Sequence, residues 1–548
     1  MGNVPAVKEF PFAGIPRQPA LFLRYLACAH EALSFYRHPP TLDALHKAEP
    51  EVQGIRFARE ALAEILIRQN ESRGIDDSVR RAIDTLARPR SVAVLTGQQV
   101  GVFTGPALTI YKALTAMSLS SHLRSRGIDA VPVFWMASDD HDLAEITRMT
   151  VAQPHGPAAA LDARELMFGS TVMPPHPVGA IRIPESITRL IEIYCSSLSG
   201  PSAADIKSGI ASTYLPGSTF SEAFGKLMAH IFRGRGLILF DPRDRDAKKL
   251  AGPVIRTALA MDRELRAALR SRENDLRAAG FAPQVTLQPR STLVFLEEET
   301  GRRLLIAGED DFAVKGTDQR FAPRELLRLA DDEPWRFSPN VLLRPLVQDH
   351  LFPTIAYVGG PAEISYFAQL EPLYRFYGRP MPVVWPRSSF TVLDPESRTV
   401  LDQYGLALED VLGVERFVLE KMRRRNPPAF EEPLSALKNL IEDHVAAIKP
   451  LVTAVDPSLG QAAETMRRKL LHRAESLHTK FLNHDLRRNS QLHHDALHLL
   501  NCSRPAGNLQ ERAINFFNLV ARHGPSLIDT LYSLISPGSF THKIVCPG

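Results

Sequence analysis

Cysteine is scarce. Four residues, Cys28, Cys195, Cys502 and Cys546, are scattered over 548 positions. No pair has CxxC spacing, which excludes a zinc knuckle or thioredoxin-like motif and fits a reduced, cytoplasmic protein. Long apolar runs are also missing. No stretch approaches ~18 uninterrupted apolar residues, so no membrane span is expected. The opening MGNVPAVKEFPFAGIPRQPA lacks the basic start and apolar core of a signal peptide. Ala6 stands where a myristoylation pattern needs Ser or Thr. Neither sign of charge dominates: 65 Lys and Arg against 61 Asp and Glu leave +4, too little to argue for a nucleic-acid partner. A GxSxG nucleophile elbow is absent.

What is present is an ordinary globular composition, 44% hydrophobic and 23% charged, over a length of three or four domain-sized units. SVAVLTG (91–97) reads as a buried strand, PALTIYKALTAMSLSSHLRSRG (106–127) as a helix with Pro106 in its first turn, and AVPVFWMA (130–137) as a second strand. Strand, helix and strand form a βαβ unit and so a parallel sheet with a right-handed crossover. Prolines 154, 157, 174, 175 and 177 mark 151–218 as a looser insertion. A helix capped by Thr219 or Ser221 and the strand LILFDPRD resume the α/β pattern. Short alternating strands around ETGR predict an antiparallel hairpin. TIAYVGGPAEISYF and MPVVWPR supply further strands. Beyond ~395 the apolar steps become three and four, through Leu434, Leu437, Ile441, Val445, Ile448 and then Met466, Leu470, Ala474, Leu477, Phe481. This predicts a coiled coil or helical hairpin broken at Pro450 and Pro457. The segment from Asn508 to Ile535 reads as an amphipathic helix returning to the body.

Three stretches invite chemistry. In VAVLTGQQVGVFTGPALTIYKA, Gly97, Gly101 and Gly105 lie four apart, which matches neither the dinucleotide fingerprint nor the Walker spacing. A glycine turn before a helix still suits an anion. Thr96, Gln98, Gln99, Thr104 and Thr109 add polar groups, and Lys112 is placed to reach a phosphate or carboxylate. The plainer alternative is a tight turn with a solvated lysine. In ASDDHDLAEI, Ser138, Asp139, Asp140, His141 and Asp142 follow the second strand. They could bind Mg²⁺, orient an amine or act as a base, or simply cap a helix through Ser138 or Asp139. Ligands gather beyond the carboxyl ends of parallel strands, so these two stretches should face one cleft. The third group is Arg344, Tyr357, Gly359, Gly360 and Glu363, with Arg387 after the last strand. Both arginines suit a carboxylate or phosphate, or else a structural ion pair. The histidines at 472, 478, 484, 493, 494 and 498 read as polar faces of a coiled coil, because no third metal ligand is evident.

TGQQVGVFTGPALTIYKA, PVFWMASDDHDLAEI and LLRPLVQDHLFPTIAYVGGPAEISYFAQL, with MPVVWPRSSFTVLD and THKIV, closely resemble the BshC family, the cysteine-adding enzymes of bacillithiol biosynthesis. Departures are mild: the family leads one to expect bulkier residues near Ala107 and Leu108, and a glutamate where Asp139 stands. The resemblance implies an α/β fold with a Rossmann-like parallel-sheet core, similar to class I aminoacyl-tRNA synthetases and nucleotidyltransferases. The core would comprise 1–150, 219–280 and 336–395, with connecting insertions at 151–218 and 281–335. A coiled coil at 396–505 would pair subunits into a homodimer, and 506–548 would pack back on the core. The implied reaction joins the carboxyl of L-cysteine to the amine of glucosaminyl-malate. A carboxylate is a poor electrophile, so ATP or another activating nucleotide, with Mg²⁺, is the expected co-substrate. HIGH and KMSKS sequences are absent, which argues against an adenylate route. In this reading the Thr96–Gly105 loop and Lys112 hold the phosphate or activated carboxyl. His141, helped by Asp140, deprotonates or orients the amine, and Arg344 or Arg387 holds the malate. The rival readings are a non-catalytic nucleotide-binding scaffold and a nucleotidyltransferase with another acceptor.

Overall fold

A computed structural model describes residues 5–547 apart from 154–155, 172, 300, 414, 424–429 and 489; the side chains at 152–153, 156–157, 415–416, 423, 482–488 and 490 also lie outside the described set. Pro154 and the side chains of Pro157 and His484, all singled out above, therefore fall outside the described residues.

Five parallel strands form the central sheet: β1 (Val92–Gln98), β2 (Ala130–Met136), β3 (Ile238–Phe240), β4 (Thr354–Gly359) and β5 (Val383–Pro386). Their spatial order is β5-β4-β1-β2-β3. All are buried on both faces except the last residue of β1, which explains their continuous Val/Ile/Phe/Trp runs without alternation. From β1 the chain builds outward through β2 to β3, then crosses back and builds the other way through β4 to β5. The order reverses between β1 and β4, the place where doubly wound sheets open a crevice beyond their carboxyl ends.

The helix Leu108–Ser125 lies against β1 and β2 and is buried on nearly every side. It starts two residues later than expected. Pro106 precedes it, because the backbone at Phe103, Thr104 and Gly105 turns through φ of 51°, 76° and 71° before helical geometry begins. Thr219, not Ser221, caps Phe220–Ile231 through a reciprocal pair with Glu222. The insertion after β2 is more ordered than its prolines suggest. It holds the hairpin Arg148–Gln153/Gly156–Asp162 and the helices Ile187–Ser196 and Ala203–Thr213.

The predicted hairpin is the centre of a five-stranded antiparallel sheet spanning Ser291–Pro339. The C-terminal segment is three short helices, Gln510–Ala513, Phe516–His523 and Leu527–Ser533, not one. Asn515 caps the second and Gly524 at φ 82° ends it, so each local stop signal overrides the amphipathic pattern. The final strand His542–Cys546 joins a small sheet between Ala6–Phe10 and Ser389–Val392.

The helical domain is a hairpin of Glu431–Val455 and Pro457–Arg488, followed by Ser490–Ser503. The break falls at Asp456. Pro450 sits inside the first helix, on an exposed face where water can serve the carbonyl it leaves unpaired. Only part of the expected seam packs within the hairpin: Leu434, Val445 and Ala474 are buried and Ile441 and Phe481 half-buried, whereas Leu437, Ile448, Met466, Leu470 and Leu477 are exposed.

Candidate active-site cleft

The glycines of the first turn are needed for backbone packing. A Cβ on Gly97 would stand 2.7 Å from the Trp135 carbonyl, and one on Gly101 2.9 Å from Gly105 Cα. The turn is strained and held from outside. Phe103 N donates to Tyr214 Oη at 2.9 Å, Tyr214 Oη donates to Gly101 O at 3.1 Å, and the Asn515 amide donates to Phe103 O. Amides at Gly101, Phe103, Gly105 and Ala107 donate to Gln99 O, Tyr214 Oη, Val102 O and Ile514 O. These four N–H groups are therefore occupied within the protein and are not free for an anion.

Lys112 is likewise committed. Its ammonium contacts Gly97 O and Gln98 Oε1, each at 2.8 Å, and the Glu363 carboxylate at 2.5 Å. Burial lowers its pKa against the pull of Glu363. Burial raises that of Glu363, but Lys112, Gly360 N–H and the Tyr357 hydroxyl outweigh it, and the carboxylate stays ionised. Lys112 thus ties the end of β1 to the helix Pro361–Phe367.

In the acidic stretch neither Ser138 nor Asp139 caps the next helix. Asp142 does so, accepting from Glu145 N at 2.9 Å. Ser138 points away from the cleft, to Asp241. Asp139 is paired with Lys248 at 3.1 Å; Lys248, Arg243 and Arg302 outweigh its burial and hold it below the usual carboxylate range. Asp140 accepts from Gln99 Nε2 at 2.6 Å, which joins the two sequence stretches directly. His141 Nδ1 lies 3.0 Å from Arg302 Nη1, contributed by the antiparallel sheet. A guanidinium only donates, so Nδ1 must accept and the ring's proton sits on Nε2. Burial and Arg302 both lower the His141 pKa, which keeps the ring neutral.

Arg344 reaches Tyr366 Oη at 2.6 Å and Tyr357 Oη at 3.2 Å, and Tyr357 in turn donates to Glu363 at 2.6 Å. Arg387 is the buried half of a bidentate pair with Glu511, as the plainer reading of that arginine held. Thr96 Oγ1 donates to Val358 O, and Gly359 O accepts from Arg387 N. Thr104 and Thr109 are buried, and among the described residues their hydroxyls have no hydrogen-bond partner.

A cavity of about 1040 Å³ opens at the reversal of strand order. Of the expected site residues, Gly97, Gln98, Gln99, Gly101, Gly105, Lys112, Asp139, Asp140, His141, Arg344, Tyr357, Gly360, Glu363 and Arg387 line it; Thr96, Thr104, Thr109, Ser138 and Gly359 do not. Glu145, Arg148, Arg302, Tyr366 and Arg512 also line it and went unread. Glu145 was inside a quoted motif, four residues after His141. Tyr366 was likewise inside a quoted motif, three residues after Glu363; nothing local marks Arg148, Arg302 and Arg512, which long-range packing delivers. Burial, then Asp140 and Asp142, raise the Glu145 pKa. Among the described residues Gln99 Oε1 is buried without a hydrogen-bond partner. Among the described residues the cluster that gathers three metal-ligating side chains lies elsewhere, at Asp394, His498 and Cys502.

Residues 11–388 match the family model for the N-terminal Rossmann-like domain of bacillithiol biosynthesis BshC, and residues 390–546 match the model for its C-terminal coiled-coil domain. Curated relatives bearing the name "Putative cysteine ligase BshC" are similar over nearly the whole length. The one from Salinibacter ruber is 33% identical over 98% of each chain. That from Koribacter versatilis is 34% identical over 95% of this chain and 96% of its own, and that from Solibacter usitatus 32% identical over 97% and 98%. A solved Campylobacter jejuni structure titled as an arginyl-tRNA synthetase aligns over 83% of this chain and 99% of its own, but at 10% identity and a TM-score of 0.23 it carries no argument.

Proposed function

Because the chain belongs to the BshC family of bacillithiol biosynthesis, we propose that it is a ligase that joins the carboxyl of L-cysteine to the amine of glucosaminyl-malate. The observation that carries this reading is a set of four arginines facing one cleft. Arg148, Arg302, Arg344 and Arg512 line the cavity, and among the described residues none has a carboxylate at ion-pair distance. Guanidinium groups without anions favour dicarboxylate or phosphate ligands, which they bind bidentately. The malate moiety falls to Arg344 and Arg512. An ATP-like co-substrate that activates the cysteine carboxyl would lie on Arg148 rather than on the occupied loop amides, because Arg302 already donates to Ser338 Oγ, His141 Nδ1 and Pro339 O. For a Mg²⁺ carried with its phosphates, Asp140 is the carboxylate on offer, since Asp139 is held by Lys248 and Glu145 is kept for the proton.

The amine nitrogen attacks the activated carbonyl carbon. A C–N bond forms, the bond to the activating oxygen breaks, and the ammonium proton must leave. Glu145, kept basic by burial and its acidic neighbours, accepts that proton. His141 offers Nε2–H to the carbonyl oxygen as negative charge develops there. The proposal places the reaction in the cytoplasm, where both thiols stay reduced. Among the described residues no helix is long and apolar enough to cross a membrane.

Purified protein given L-cysteine, glucosaminyl-malate and ATP is expected to yield the amide, read by mass, with product strictly dependent on the nucleotide. Nucleotide binding without amide would leave a non-catalytic binding protein instead.

The proposal includes a homodimer through the helical hairpin. Leu437, Leu440, Ile448, Leu451 and Val455 recur at steps of three, four and their sums, and Leu451 and Val455 are 70% and 82% exposed. That heptad stripe suits a second copy of the same helix. Leu451→Glu combined with Val455→Glu should halve the mass measured by sedimentation equilibrium and leave the far-UV spectrum unchanged. An unaltered mass would remove the hairpin from the interface.

A further inference from the structure

The sequence reading left His498 on a solvated helix face for want of a third ligand. The fold supplies two. Cys502 lies one turn further along the same helix, and Asp394 follows the strand Ser389–Val392, at the junction between the Rossmann-like body and the helical domain. We propose that Asp394, His498 and Cys502 form a binding site for a divalent cation of the zinc class, which ties the start of the helix Pro395–Tyr404 to the helix Ser490–Ser503.

Four observations carry the proposal. The three residues already bring one ligand atom each to within 4.8 Å of the others. His498 Nε2 is 3.0 Å from Asp394 Oδ1, Cys502 Sγ is 3.3 Å from Asp394 Oδ2, and Sγ is 3.9 Å from Nε2. A tetrahedral zinc with bonds of ~2.0 Å to O and N and ~2.3 Å to S separates its ligands by roughly 3.3–3.6 Å. Secondly, the ligands are held in place. Asp394 Oδ1 accepts from Ser397 N at 2.8 Å, and Cys502 is buried. Thirdly, Glu396 Oε2 stands 3.6 Å from His498 Nδ1, the carboxylate-behind-imidazole arrangement that orients a metal-bound histidine. Lastly, the pocket already attracts a cation. Arg522 Nη1 is 2.9 Å from Asp394 Oδ2 and 3.4 Å from Cys502 Sγ. The Arg522 side chain is 32% exposed, so it can move outward. With the metal bound, Cys502 gives its thiol proton to solvent and His498 is neutral. Asp394, Glu396 and the thiolate then balance the dication and Arg522, so no net charge is buried.

A mixed thiolate, imidazole and carboxylate set favours zinc or cobalt over magnesium or calcium. The test uses the full-length protein, stripped with a chelator and titrated with Co²⁺. One equivalent should produce a thiolate-to-cobalt charge-transfer band, Zn²⁺ should bleach it, and Zn²⁺ should raise Tm. Cys502→Ser should lose the band, Cys546→Ser should keep it, and Glu396→Gln should weaken binding by about tenfold or more. Should Cys502→Ser fail to fold, thiol alkylation of the wild type decides: Zn²⁺ should protect Cys502 alone among the four cysteines. Absence of the band, its persistence in Cys502→Ser, or protection of another cysteine overturns the site. None of these readouts depends on ligation, so the result bears on this site and not on the proposed reaction.

Discussion

His141→Ala is expected to lower kcat/KM for ligation by about 10²–10³, the usual cost of removing one donor from a developing oxyanion. His141→Gln is expected to stay within about tenfold of wild type. The contrast follows from Arg302. Its N–H on His141 Nδ1 at 3.0 Å fixes the proton on Nε2, so the ring can donate into the cleft but has no free lone pair there. A base would need that lone pair, and no amide could replace it. A glutamine side chain can replace an N–H donor. Equal loss in both variants, measured by steady-state kinetics, would restore His141 as the base. Proton removal then belongs to Glu145, whose raised pKa sets the acid limb of the profile: activity should rise with pH as that carboxyl ionises. Glu145→Gln should abolish this limb along with most of the turnover.

Glu511→Ala is expected to destabilise the fold by about 3–5 kcal/mol, because it strands the fully buried Arg387 guanidinium. Arg387→Met with Glu511→Leu should recover most of that loss, since no charge then remains buried without a partner. The same pair predicts acid sensitivity. Burial raises the Glu511 pKa, but Arg387 outweighs it and brings the group down to about 2. A carboxylate with a depressed pKa stabilises fully above its unfolded value, near 4.5, and loses that contribution as pH falls towards 2. The span corresponds to about 3 kcal/mol. His542, its pKa pushed down to about 4 chiefly by burial, adds to the loss as pH falls from 6.5. Urea unfolding at several pH values checks both, and a flat acid limb would contradict them.

The parallel sheet was legible because strands buried on both faces must be apolar throughout, and β1, β2, β4 and β5 all show it. The joint cleft was legible for a topological reason: both turns follow the carboxyl ends of adjacent strands. The Gln99–Asp140 contact at 2.6 Å is the outcome. Partnering was not legible. Lys112 and Arg387 look like ligand groups in sequence, yet Glu363 and Glu511, 251 and 124 residues away, claim them. Arg302 carries no local sign of its role, because only the docking of the antiparallel sheet brings it to His141. The cap at Asp142 rather than Asp139 turns on the backbone path of three residues, which composition does not specify.

The most direct test of the account is a crystal structure with glucosaminyl-malate and L-cysteine bound. The predicted complex has the malate carboxylates on Arg344 and Arg512, the sugar amine within ~3 Å of Glu145 and the cysteine carboxyl facing His141 Nε2. Malate carboxylates bound away from all four cleft arginines, or both substrates seated outside the cavity between β1 and β4, would contradict it.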